Sequence, residues 1–105
     1  MSPPKGDAAA ELAALELVAK ALANASRRHV LLVLRFRGGS MSAGQIAERF
    51  SCSWPATTRH LRVLREAGLI RLERRGRERY YQLEPERLEV LQRWLGWLVA
   101  SDSPQ

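Results

Sequence analysis

The most constraining feature of the chain is a pair of short serine-capped segments separated by three polar residues and closed by a glycine. Ser42 precedes Ala43 to Phe50, where Ile46, Ala47 and Phe50 recur at helical spacing. Ser51-Cys52-Ser53 breaks the pattern. Ser53 then caps a further helix, with Pro55 in its first turn, where a missing N–H is tolerated. That helix is expected to run to Ala67, with Gly68 as its stop. Thr57, Leu61 and Leu64 lie at i, i+4 and i+7 and form an inward stripe, and Thr58, Arg59, Arg62 and Glu66 lie on the other side. Two short helices joined by so tight a turn make a helix-turn-helix.

The flanking segments complete a small domain. Leu69 to Arg74 and Arg79 to Leu83 alternate apolar and polar residues around Arg75-Gly76-Arg77-Glu78, which predicts a two-stranded hairpin. Upstream, Asp7 to Ala23 is rich in Ala, Leu and Glu and predicts a first helix, with Leu12, Leu15, Ala19 and Leu22 on one face and Leu17, Val18 and Ala21 on a neighbouring one. Ser26 is the expected cap of a second helix that reaches Arg37. The apolar run Val30 to Leu34 would also suit a strand, but its polar start and the Gly38-Gly39 end favour a buried helix. Glu84-Pro85 opens a last helix to about Ala100, with Leu88, Leu91, Leu95 and Leu98 in one stripe and Val90, Trp94 and Trp97 in another. The expected fold is mainly α with a small β-hairpin: a winged helix-turn-helix of five helices and a two-stranded wing. Residues 7–100 form one domain, and residues 1–6 and 101–105 are expected to be disordered tails.

Charge is uneven along this framework. From Arg49 to Gln82 there are nine arginines and three glutamates, a balance that equals the formal +6 of the whole chain. A basic middle between neutral ends suits a polyanion held on one surface, with a solvated arginine-rich face as the plain alternative. No apolar run approaches the roughly 20 residues of a membrane span, and the start MSPPKGD lacks the apolar stretch of a signal peptide. The lone Cys52 cannot form an internal disulfide, so a cytoplasmic, nucleoid-associated location is expected. No glycine-rich phosphate loop, Ser/His/Asp or Cys/His set, or paired buried carboxylates can be read, so neither catalysis nor a cofactor is expected. Metal is not expected either. One cysteine and two histidines are too few for a soft-metal site unless subunits share them. His60, beside the inward stripe, is expected to be packed and hydrogen-bonded; His29 is expected to be structural or near phosphate. A redox role for Cys52 would need a second subunit or a small thiol.

The second helix of a helix-turn-helix usually enters the DNA major groove by its N-terminal end. Here that end carries Ser53, Trp54, Thr57, Thr58 and Arg59, with Arg62 a turn further on. Hydroxyls can contact phosphate or base edges, and a guanidinium can grip guanine or phosphate. Arg74, Arg75, Arg77 and Arg79 form a basic wing tip. The rival reading is a winged helix that recruits a partner protein without reading DNA. Steep salt dependence on duplex DNA separates the two.

These residues also carry a family resemblance. "ALANASRRHVLLVLRF" resembles the second-helix signature of the ArsR family of bacterial repressors, and "SAGQIAERFSCSWPATTRHLRVLREAGLIRLERRGRERYYQL" resembles that family's helix-turn-helix and wing. The resemblance covers about residues 10 to 99. It implies a homodimer built by the first and last helices, repression of a promoter and often a self-regulated operon; a twofold dimer in turn implies an inverted-repeat operator in double-stranded DNA. It puts base reading on Trp54, Thr58 and Arg59, with Ser53, Pro55 and Thr57 as neighbours. The dimer would bury Leu12, Leu15, Leu22, Leu91, Trp94, Leu95 and Leu98. The chain departs from the family in two ways. Its third helix has no cysteine and its last helix no histidine, so metal sensing is not expected and any small-molecule effector is unknown. Trp54 stands where the family usually has a small or polar residue, so the indole either reads DNA or folds back on the third helix.

Overall fold

A computed structural model describes residues 8–50 and 53–100. The expectations for the two tails and for Cys52 concern residues outside that range. The elements run α1 (Ala8–Leu22), α2 (Ala25–Phe36), β1 (Ser40–Ser42), α3 (Ala43–Arg49), α4 (Trp54–Glu66), β2 (Ile70–Arg75), β3 (Glu78–Leu83), a 3-10 turn (Pro85–Arg87) and α5 (Leu88–Val99).

Apolar spacing explains the helices. In α2, Val30, Leu31, Val33 and Leu34 are buried while Leu32 is 55% exposed. Burial at i, i+1, i+3 and i+4 is a helical pattern, whereas a strand would bury alternate residues. Asn24, not Ser26, caps this helix: its side chain accepts from the backbone N–H of Ser26 and Arg27. Asn24 has the extended backbone a cap requires, and Ser26 is already inside the first turn. Ser42 caps α3 in a reciprocal box with Gln45. Gly68 ends α4 at φ +74, where a side chain would be strained. The last helix begins later than expected, because Pro85 to Arg87 form a separate 3-10 turn ahead of it.

The sheet is larger than the hairpin read from sequence. It has three antiparallel strands in the order β1-β3-β2. β1 pairs Met41 with Tyr81, and β2 pairs Ile70, Leu72 and Arg74 with Leu83, Tyr81 and Arg79. Three residues with two serines carry no strand signal of their own; the exposed edge of β3 recruits them. The hairpin extends one residue further at each strand's tip than expected. Gly76 takes φ +63 at the first of its two turn positions, as a type II′ turn requires.

The core joins Val18 and Ala21 of α1, the inner face of α2, Ile46, Leu61, Leu64, Leu69 and the inward side chains of the sheet. α1 faces this core through Ala14, Val18 and Ala21, while Leu12 and Leu17 stand outside. α5 packs along α1 but contains no buried residue.

Candidate nucleic-acid interface

α4 sorts its side chains by helical phase. Thr57, Leu61 and Leu64 are buried, and Thr58, Arg59, Arg62, Arg65 and Glu66 are exposed. Ser53 accepts the Ala56 N–H at 3.2 Å and stays exposed, as do Trp54 and Pro55. Thr57 must be removed from the expected contact set. It is 4% exposed, and its Oγ1 donates to the Ser53 carbonyl at 3.0 Å. The i, i+4, i+7 stripe that puts it inside excludes it from the outer face.

Trp54 does not fold fully inward. It is 54% exposed and forms one wall of a cleft of about 280 Å³, lined also by Ser42, Ala43 and Gly44 at the start of α3 and by Arg77, Glu78 and Arg79 of the hairpin. The cleft thus joins the start of α4 to the wing.

The two faces of the wing differ. On the outer face, Arg75 pairs with Glu73 at 3.1 Å and lies 4.2 Å from the centroid of the Tyr80 ring. The Tyr80 hydroxyl donates to Glu78, a bond that raises the phenol's pKa above its ordinary value. Gln82 donates to Glu73 and accepts from Arg71, which also pairs with Glu84 at 2.9 Å. Arg75, expected to contact DNA, is therefore engaged within the wing. Arg74 and Arg77 are exposed and, like Arg59, Arg62 and Arg79, form no ion pair among the described residues. Arg79, part of the expected wing tip, stands opposite Arg74 in the hairpin, as strand alternation dictates once the turn is placed.

His60 Nδ1 lies 3.3 Å from the Arg27 guanidinium. Burial, then the charges of Arg27 and Arg59, hold its pKa below the ordinary value, so the imidazole accepts a hydrogen bond as a neutral ring. His29 stands edge-on to Phe50, with ring centroids 4.8 Å apart.

At the far side, Leu12, Trp94, Leu95 and Leu98 are exposed, at 63%, 38%, 44% and 64%. Leu15, Leu22 and Leu91 are half-buried. Val99, 73% exposed, continues this apolar surface and was not expected there. An exposed Arg93–Glu11 ion pair at 3.0 Å joins α5 to α1.

A helix-turn-helix followed by a β-hairpin, packed on one core, defines a winged helix-turn-helix protein. Residues 22–73 match the profile of a helix-turn-helix domain family. The chain is 39% identical over 82 residues to the transcriptional repressor SdpR of Bacillus subtilis, covering 78% of this chain and 86% of SdpR. An ArsR-like transcriptional regulator from Rhodococcus sp. RHA1 superposes with a TM-score of 0.73 at 31% identity, over 86% of this chain and 83% of that one. The same fold recurs, at 23% identity and a TM-score of 0.68, in a homodimeric winged helix-turn-helix DNA-binding domain from Mycobacterium bovis, over 100% of this chain and 99% of that one. The chain belongs to the ArsR family of winged helix-turn-helix transcriptional regulators. No described helix is long and apolar enough to cross a membrane.

Proposed function

We propose that the chain is a homodimeric, sequence-specific repressor that binds double-stranded operator DNA through α4 and the wing and does not respond to metal. The observation that carries the reading is the set of exposed arginines, Arg59 and Arg62 on α4 and Arg74 and Arg77 on the hairpin, that form no ion pair among the described residues. Ser53, Trp54, Pro55 and Thr58 lie at the α4 start, and in this reading Thr58 and Arg59 meet base edges. Similarity to a protein named a repressor supports the direction of regulation.

Dimerisation is supported by α5. A helix of 12 residues with four exposed large apolar side chains and none buried needs a second apolar surface. Twofold pairing through α1 and α5 would aim two α4 helices at half-sites about 34–36 Å apart. The metal-independent reading rests on the donor set. His60 is engaged with Arg27 and His29 with Phe50, and the chain has one cysteine.

The test is a salt titration of binding to duplex DNA, with genome-wide recovery of bound fragments to supply the operator. Each neutralised phosphate should contribute about 0.9 to the slope of log affinity against log salt. An affinity that stays flat with salt would remove the DNA reading and leave the protein-recruitment module. Elemental analysis finding a tightly held metal in each subunit would remove the metal-independent part.

A further inference from the structure

The two faces of the hairpin handle like charge in opposite ways. On the outer face each arginine has a carboxylate: Arg71 has Glu84 and Arg75 has Glu73. On the inner face, Ile70 pairs with Leu83 and Leu72 with Tyr81, and the next inner pair outward is Arg74 with Arg79. These two cations stand directly opposite one another, with no ion pair for either among the described residues. Directly opposed like charges destabilise a strand pair. A glutamate at either position would relieve the repulsion; on the outer face Arg75 stands opposite Glu78 and so meets none. An anion arriving at this face would relieve it too. The inner face at this level opens onto the cleft walled by Trp54, where Arg77 and Arg79 are the cations. Glu78 borders the cleft, but its carboxylate accepts the Tyr80 hydroxyl on the outer face.

We propose that the cleft between Trp54 and the inner face of the hairpin clamps one phosphodiester of bound duplex, with Arg79 as its principal cation, and that Arg75 is a positioning residue that stiffens the wing without touching DNA. This rests on the reading of the chain as a duplex-DNA binder. An arginine fork matches a phosphate's oxygens, and the indole offers a flat apolar wall to the adjoining sugar. Trp54 joins the reading helix to the wing through the DNA strand between them, so base readout and backbone grip become coupled.

The experiment measures binding of the full chain to a mixed-sequence duplex several helical turns long, across a potassium chloride series, for the unaltered protein, Arg79→Gln and Arg75→Gln. Thermal melting of each protein without DNA is recorded alongside. Arg79→Gln should lower the magnitude of the salt slope by about 1.8 per dimer, one phosphate per subunit. Its melting temperature should be unchanged or raised, because the opposed charges are gone. Arg75→Gln should keep the slope and lower the melting temperature. An Arg79→Gln slope equal to that of the unaltered protein would overturn the clamp, as would an Arg75→Gln slope reduced as far as that of Arg79→Gln. A flat salt response of the unaltered protein would instead overturn the DNA reading itself, so the two failures are distinguishable.

Discussion

The surface formed by α4 and the hairpin and the surface formed by α1 and α5 are both left open by the single chain, for opposite chemical reasons. The first exposes arginines without counter-charges: Arg59, Arg62, Arg74, Arg77 and Arg79 form no ion pair among the described residues. The second exposes Leu12, Leu95, Leu98 and Val99 over a helix with nothing buried. A cationic surface lacks an anion, and its attraction falls as salt screens it. An apolar surface lacks another apolar surface, and salt does not weaken that attraction. The two surfaces should therefore respond differently to ionic strength.

The strongest way to break this comparison is to place charge on the apolar side. Leu98→Glu removes two leucines from a twofold interface, each worth roughly 1.5–3 kcal/mol of burial. Dimerisation should weaken by about 10²–10⁴-fold, read by light scattering against concentration. DNA affinity should fall with it, because one subunit can engage only one half-site. A variant that stays dimeric would place the interface elsewhere.

On the cationic side, Arg59→Ala should cost about 1–3 kcal/mol and relax discrimination at one symmetric operator position. Arg77→Ala should weaken all sequences similarly and flatten the salt slope. Competition between operator and mixed-sequence duplex separates these outcomes. Equal behaviour of the two variants would merge α4 and the wing into one non-specific surface.

A smaller effect is expected at the junction. Trp54→Ala should lower stability by no more than about 1 kcal/mol, because the indole is half-exposed. Operator preference should change while the melting temperature barely moves. The reverse pattern would assign the indole to packing and leave readout to Thr58 and Arg59.

The smallest effect concerns pH. The folded-state pKa of His60 is depressed by burial and by Arg27 and Arg59. The unfolded chain, at about 6.5, therefore takes up the proton first as pH falls. Stability tied to the neutral ring is fully present above the unfolded value and is lost progressively as pH drops through it. The melting temperature should decline as pH falls below about 6.5, and His60→Gln should shrink the decline. An unchanged decline in that variant would assign it to other groups.

By itself, the sequence determined the helices, their inward stripes and the position of the wing. These follow from local causes: the Ser42 and Ser53 caps, the phase of Thr57, Leu61 and Leu64, and glycines at Gly68 and Gly76. It also marked the basic surface, because helical phase fixes which way Thr58, Arg59 and Arg62 point. Tertiary structure alone decided β1, since three residues join a sheet only when a strand edge is offered to them. It engaged Arg75 with Glu73 and Tyr80, and it set Arg79 against Arg74 and beside the Trp54 cleft. Those outcomes depend on strand register and on packing between distant segments, and one residue of slip in the hairpin would exchange its two faces.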